Sequence, residues 1–165
     1  MERTAILCDL LGVRYPLMQG GMAHISDARL AAAVSNGGGL GIISAASGNP
    51  EQVAAQIDEA RALTDKPFGV NIMLRGNNID EIAKLVAEKK VAVVTTGAGS
   101  PAAYIPMWRK AGVKVIPVIS TAAMAQLMEK SGADAVVAEG TESGGHVGEM
   151  TTMALVPQVC DAIQI

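Results

Sequence analysis

Short apolar runs recur along the chain at a nearly constant interval. They begin at residues 16, 40, 68, 91, 113 and 135, so that successive starts lie 22 to 28 residues apart. The runs read PLMQG, LGIISA, FGVNIML, VAVVTTG, VKVIPVIS and AVVAEG. Most of them are continuously apolar rather than alternating, which is typical of strands that are buried on both faces of a sheet. The pattern therefore predicts six buried strands.

The segments between these runs have helical apolar spacing and recognisable helix ends. Asn49-Pro50-Glu51 combines an N-cap, a first-turn proline and an acid suited to a helix amino end. Asn78 and Thr121 predict two further helix starts, and glycines 37, 112 and 132 predict helix ends. Pro157 is expected to open the last helix, because a proline inside a helix removes a hydrogen bond.

Repeated strand–helix units predict a parallel sheet, because each crossover between parallel strands needs a helix. Two architectures compete. A doubly wound sheet is complete with six strands, whereas a (β/α)8 barrel needs two further units. Even spacing favours the barrel, and so do the polar and glycine-rich segments after the strands, because barrel active sites lie there. We therefore expect an incomplete α/β fold of the TIM-barrel type, with about six of eight βα units, as one domain over residues 1–165, while a doubly wound sheet remains the alternative.

Composition narrows the class of protein. Half of the residues are hydrophobic, but only four are aromatic, so the core is expected to be aliphatic. The net charge of −3, with no long basic cluster, argues against nucleic-acid binding. No apolar stretch reaches roughly 18 residues and no signal peptide is evident, so a cytoplasmic protein without a membrane span is expected. Cys8 and Cys160 lack metal-site spacing and are expected to be free thiols.

The segment QGGMA follows the first apolar run at the edge where a barrel carries its site. Gly20 and Gly21 would let the backbone approach a flat ligand, and the amides of Met22 and Ala23 would face that ligand. An ordinary turn is the alternative. The other glycine-rich stretch, NGGGLGII, precedes a strand and is therefore no dinucleotide fingerprint.

Three further side chains are candidates for chemistry. Asn71 interrupts an apolar run and Glu139 ends one, so each needs either a structural partner or a ligand. His146 follows two glycines, and an imidazole with a pKa of about 6.5 in such a loop suits proton transfer. A solvated loop histidine is the alternative there. We interpret His24 as a loop residue at the entrance of the site. No metal site is expected.

Six collinear motifs carry a family resemblance from about residue 10 to the end of the chain. They are QGGMA, GGLGII, KPFGVNIML, VVTTGAGSP, GADAVVAEG, and ESGGHVG followed by TTMALVPQV. This set resembles the nitronate monooxygenase-like flavoproteins, and within them the flavin-dependent (type II) enoyl-[acyl-carrier-protein] reductases. Glu139 stands where the nitronate enzymes tend to have glutamine, and KPFGVNIML and TTM are similar to the reductases.

The resemblance implies a (β/α)8 barrel with FMN at its mouth. The residues that it places along the flavin ring or at its polar edge are Gly21, Met22, Ala23, Asn71, Glu139, Gly144 and Gly145. His146 matches the catalytic histidine of the family. NADH or NADPH would be the reductant, and an enoyl thioester of acyl carrier protein the substrate. A homo-oligomer is expected.

Two other functions remain open. In the nitronate monooxygenases the same histidine would remove an α-proton from a nitroalkane, and oxygen would reoxidise the flavin. The family also continues beyond residue 165 with two strands whose loops hold the FMN phosphate. The chain as given would then be a non-catalytic fragment, or half of an assembly that another chain completes. The edges of such an open sheet favour self-association.

Overall fold

The computed structural model describes residues 2–145 and 147–165, with side chains from residue 5 onward. The helices are α1 (Glu2–Leu11), α2 (Ala28–Asn36), α3 (Pro50–Leu63), α4 (Ile79–Glu88), α5 (Ile105–Lys110), α6 (Ala122–Ser131) and α7 (Thr152–Ala162). The strands are β1 (Gly41–Ser44), β2 (Phe68–Met73), β3 (Val93–Gly97), β4 (Lys114–Ile119) and β5 (Val137–Ala138). They form one sheet in the order β1-β2-β3-β4-β5.

All neighbouring strands of this sheet are parallel, as the repeat of apolar runs predicts. Asn71 of β2 pairs with Ser44 of β1 on one side and with Thr95 of β3 on the other. Ile119 of β4 pairs with Ala138 of β5. Because the strands run in the same direction, their carboxyl ends lie at one edge of the sheet. The loops after the strands therefore share that edge.

The first predicted strand is reduced to a single parallel bridge between Met18 and Leu40. Beyond this bridge the side-chain amide of Gln19 makes the hydrogen bonds to β1 that the backbone of a neighbouring strand would make. Its Nε2 donates to the carbonyl of Ile42 (3.1 Å), and the Ile42 N–H donates to its Oε1 (3.2 Å). A side-chain amide has the same donor and acceptor as a peptide group, so the chain can turn away early. The prediction of six strands was wrong for this reason: within the described residues, five strands and a bridge form.

The core is mostly aliphatic on both faces of the sheet, as the composition predicts, but it also contains Phe68 and the fully buried Trp108. The face that packs against α2 to α5 contains Ile43, Val70, Ile72, Val94 and Val115. The opposite face contains Leu40, Ile42, Val93 and Ile116, joined by Leu11 of α1, a helix that the sequence analysis did not predict. A third cluster joins α6 to α7 and includes Met128, Leu155 and Val159. Within the described residues no helix is both long and apolar enough to cross a membrane.

Several of the predicted helix ends are confirmed. Asn49 Oδ1 accepts from the N–H groups of Glu51 (2.9 Å) and Gln52 (3.2 Å), with Pro50 in the first turn of α3. Thr121 Oγ1 accepts from Met124 N–H (3.1 Å) at the start of α6. Gly132 ends α6 with a φ of +94°, in the left-handed region that favours glycine.

The helix start predicted at Asn78 is confirmed, since α4 begins at Ile79, although Asn78 makes no side-chain cap. Its φ of +52° lies in the left-handed region, and its Nδ2 donates to the Gly48 carbonyl (2.8 Å). One expectation about helix ends is wrong. Pro157 lies inside α7 rather than opening it. The missing N–H would have bonded the carbonyl of Met153, a residue that is 86% exposed, at a surface where water can replace the lost donor.

The contact between α2 and β1 leaves no room for a side chain at Gly41, since an added Cβ would overlap the carbonyl of Ala31. We expect Gly41→Ala to lower the free energy of unfolding by at least about 1–3 kcal/mol, the usual cost of overpacking, as measured by urea denaturation. Gly97→Ala is the control, because its added Cβ would have no atom within 4 Å. Equal losses for the two variants would contradict the packing argument.

Candidate functional site

The loop after the Met18 bridge lies directly against a side chain of β2. A Cβ added at Gly21 would come within 2.5 Å of Asn71 Cβ and 3.0 Å of Asn71 Oδ1. Asn71 is itself held by the neighbouring strand, because its Nδ2 donates to Thr95 Oγ1 (2.9 Å) and Thr95 is buried. The structure thus brings together two of the predicted site residues, Gly21 and Asn71. It also provides Asn71 with the structural partner that the sequence analysis considered.

Ser26 organises the loop that contains Gly21. Its buried hydroxyl accepts from Gln19 Nε2 (2.8 Å) and from the Met22 N–H (2.9 Å). The expectation that the Met22 amide faces a ligand is therefore wrong, since that N–H bonds Ser26 within the loop. The Met22 side chain is 42% exposed. The sequence analysis missed Ser26 and Gln19, although Gln19 begins the quoted QGGMA segment.

His24 and Ala23 line a cavity of about 200 Å³ beside this loop. The rest of its lining is mostly apolar and includes Ala45, Ile72 and Met73. A second cavity of about 290 Å³ also touches His24 and is lined by polar groups such as Ser26, Asp27, Gln52 and Gln56. His24 has a φ of +62° and is exposed. His24 is thus a loop residue that lines both cavities, and its place at the entrance of the site remains a prediction.

Glu139 lies at the same edge of the sheet, directly after β5. Its N–H donates to the Ile119 carbonyl (2.9 Å) and so continues the pairing between β5 and β4. Its Oε1 accepts from Ser143 Oγ (2.8 Å), and Ser143 N–H donates back to the Gly140 carbonyl (3.2 Å). The side chain is only partly buried. Glu139 therefore has one described partner and remains accessible to a ligand.

The same loop contains an anchor that the sequence analysis did not find. Glu142 Oε2 accepts from both the N–H and the hydroxyl of Thr152 (2.8 Å each), in the first turn of α7. Thr141 N–H donates to the Met150 carbonyl (3.0 Å) and closes the base of the loop. The Thr152 N–H is the main reason that the pKa of Glu142 lies below its ordinary value. Ten residues separate Glu142 from Thr152, so the local spacing rules for helix caps do not detect the pair.

Gly144 and Gly145 lie at the exposed tip of this loop. Within the described residues, a Cβ added at either glycine would have no neighbour within 4 Å, and Gly145 has a φ of +83°. The positive φ angle at position 145 therefore accounts for a glycine there, and the surface of both glycines is open. Their contact with a cofactor remains a prediction. His146, the predicted catalytic residue, lies outside the described residues.

The strands of this parallel sheet follow one another in chain order, whereas the strand order of a doubly wound sheet reverses at a switch point. The protein is therefore an α/β protein of the TIM-barrel type. The sequence matches the nitronate monooxygenase family over residues 4–89 and 74–165. The chain belongs to this family, which confirms the resemblance carried by the motifs.

Individual relatives agree with this assignment. FabK from Thermotoga maritima has a TM-score of 0.95 and 48% identity, covering 97% of this chain and 51% of its own. Nitroalkane oxidase from Streptomyces ansochromogenes has a TM-score of 0.90 and 28% identity, over 96% of this chain and 58% of its own. A hydroxy-methyl-oxo-octahydro-indene-carboxyl-CoA dehydrogenase from Mycobacterium tuberculosis is 38% identical over 99% of this chain and 46% of its own.

The structural match to FabK confirms the expected TIM-barrel type of fold. The relatives are oxidoreductases. The chain spans about half the length of the relatives that it matches.

The contact between Gly21 and Asn71 can be tested by adding one methyl group. We expect Gly21→Ala to displace Asn71 from Thr95 and to lower the free energy of unfolding by about 1–3 kcal/mol in urea titrations. Gly20→Ala is the matched control, because its Cβ would meet no atom within 4 Å. A Gly21→Ala variant as stable as Gly20→Ala would show that the loop does not lie on Asn71.

The bond between Glu142 and Thr152 should depend on pH. Because its pKa in the folded protein is lowered from 4.5, the carboxylate stabilises the loop above that pH, and the stabilisation is lost as the pH falls through the folded pKa. We expect the Thr152 amide to lose protection from hydrogen exchange in acid, after correction for the intrinsic pH dependence. The Glu142→Gln variant should lack this titration, and an identical profile in both proteins would contradict the assignment.

Proposed function

We propose that this chain forms the ring-facing part of an FMN-dependent oxidoreductase that reduces enoyl thioesters. The 48% identity to FabK, an enoyl-acyl carrier protein reductase, at a TM-score of 0.95, is the observation that carries the proposal. The mycobacterial relative at 38% identity is named for a carboxyl-CoA substrate, which is also a thioester. Both relatives thus favour an acyl thioester as the substrate class.

The residues at the carboxyl edge fit a flat, polar-edged group. Gly21 presents bare backbone on top of Asn71, and Glu139 adds a carboxylate that is only partly buried. An amide and a carboxylate at one edge complement the N–H and carbonyl groups of a flavin ring. When bound, FMN supplies the hydride-transfer chemistry. We propose that Gly21, Met22, Ala23, Asn71, Glu139, Gly144 and Gly145 contact it.

The work of the protein itself is to position groups and to handle a proton. Thr95 orients the Asn71 amide by accepting its Nδ2–H, and the Ser143 hydroxyl orients the Glu139 carboxylate by donating to Oε1. His146 would supply the proton that the α-carbon of an enoyl thioester needs, or order its donor. NADH or NADPH would be the reductant and acyl carrier protein the carrier of the substrate.

Nitronate oxidation is the second candidate, because the family match and the 28% identical nitroalkane oxidase both support it. In that reaction the same histidine would remove the α-proton of a nitroalkane. A homo-oligomer also remains our proposal.

The proposal is tested first by titrating the protein with FMN. We expect Asn71→Ala to weaken FMN binding by about 1–3 kcal/mol, the usual cost of leaving a buried polar group without its partner. Asn36→Ala is the matched control. Asn36 also pairs with a threonine, since Thr64 Oγ1 donates to its Oδ1 (2.6 Å), but it ends α2 at the opposite edge of the sheet. Equal FMN affinity in the two variants would remove Asn71 from the cofactor site.

The substrate is tested with the FMN-loaded protein. We expect oxidation of NADH or NADPH to be faster with a crotonyl or longer enoyl thioester than oxygen consumption is with a nitroalkane. His146→Ala should lower either rate about 100-fold or more, the scale of a lost general acid or base. Nitroalkane oxidation without thioester reduction would reverse the order of the two candidates.

A further inference from the structure

The loop between β5 and α7 is tied to α7 by a carboxylate that has no place among the proposed cofactor contacts. Thr151, the residue before α7, makes no side-chain cap of its own. Glu142 takes over that role by accepting from the N–H and hydroxyl of Thr152. Its negative charge lies at the amino end of a helix, where the helix dipole favours it.

The helix that receives this bond is firmly placed. Leu155 and Val159 of α7 are buried in the cluster shared with α6. Beyond the helix, the Gln164 N–H donates to Glu129 Oε1 of α6 (2.7 Å). A loop that is bound to Thr152 is therefore bound to a helix that packs into the folded core.

The site side of the loop depends on the residue next to Glu142. Ser143 N–H donates to the Gly140 carbonyl (3.2 Å), and Ser143 Oγ donates to Glu139 Oε1 (2.8 Å). Gly140 has no room for a side chain, because a Cβ there would overlap Thr152 and approach Glu142 Oε2 at 2.7 Å. The backbone at Ser143 is thus restricted by its neighbours Gly140 and Glu142 and by Thr152. The Ser143 hydroxyl in turn fixes the Glu139 carboxylate.

We propose that Glu142 is a positioning residue: by binding Thr152 it holds Ser143 in the place from which Ser143 orients the Glu139 carboxylate. The two glutamates of this loop therefore have separate roles, Glu142 facing α7 and Glu139 remaining available for a ligand. The importance of this coupling for flavin binding rests on the proposed function. The coupling between Glu142, Ser143 and Glu139 does not.

The coupling is tested in the flavin-free protein. We expect Glu142→Ala to raise amide hydrogen exchange at Thr141, Ser143 and Thr152 at least tenfold, with the amides of the central strands unchanged. The ¹³C signal of the Glu139 carboxyl should shift in Glu142→Ala and in Ser143→Ala. Glu149→Ala is the matched control, an exposed glutamate of the same loop, and should do neither. An unshifted Glu139 signal in Glu142→Ala would overturn the proposal.

Flavin titration then tests the consequence for the site. We expect Glu142→Ala and Ser143→Ala each to raise the dissociation constant of FMN about fivefold to tenfold, and the double variant to raise it no further, because both act through Glu139. Glu142→Gln, which retains one acceptor for Thr152, should recover part of the affinity. Strictly additive losses would contradict an action through Ser143. If the wild-type chain bound no FMN, the proposed function would fail, while the Glu139 signal would still decide the coupling.

Discussion

Parallel pairing from β1 to β5 is the constraint on which the rest of the structure depends. The strands are mostly apolar because both faces of the sheet are covered, and each crossover must return over the sheet through a helix. The carboxyl ends of all strands consequently lie at one edge. Residues as distant in sequence as Gly21, Asn71 and Glu139 reach the same region without any local signal that relates them.

At both ends of the described sheet, polar side chains complete hydrogen bonding that the backbone leaves unfinished. Gln19 pairs with the backbone of Ile42 where the first segment turns away from β1. Glu142 bonds the first turn of α7 where the loop after β5 must end. Unpaired backbone groups are costly when buried, so the bonds from Gln19 to the buried Ile42 let the chain leave regular structure early. The loops of the site are thereby held by the groups that close the sheet and the last helix.

The sequence predicted the larger part of the fold but only some of the contacts in the site. The strand runs, the Asn49 cap and the end of α6 at Gly132 follow from periodicity and from the φ angles that glycine tolerates. The Met18 bridge did not follow, because an apolar run does not reveal that a glutamine side chain will replace its backbone. Pro157 inside α7 did not follow either, since local rules penalise an interior proline regardless of what surrounds the freed carbonyl.

By itself, the sequence determined the class of fold, the family and the candidate residues, because buried strands, helix ends and short motifs depend on residues that are close together in the chain. Only the tertiary structure decided how those candidates are held. The approach of Gly21 to Asn71 spans 50 positions, and the bond between Glu142 and Thr152 spans ten, so no local pattern predicts either. The use of the Met22 amide by Ser26 was decided in the same way. Hydrogen bonds and steric contacts act over a few ångströms in space, whatever the distance along the chain.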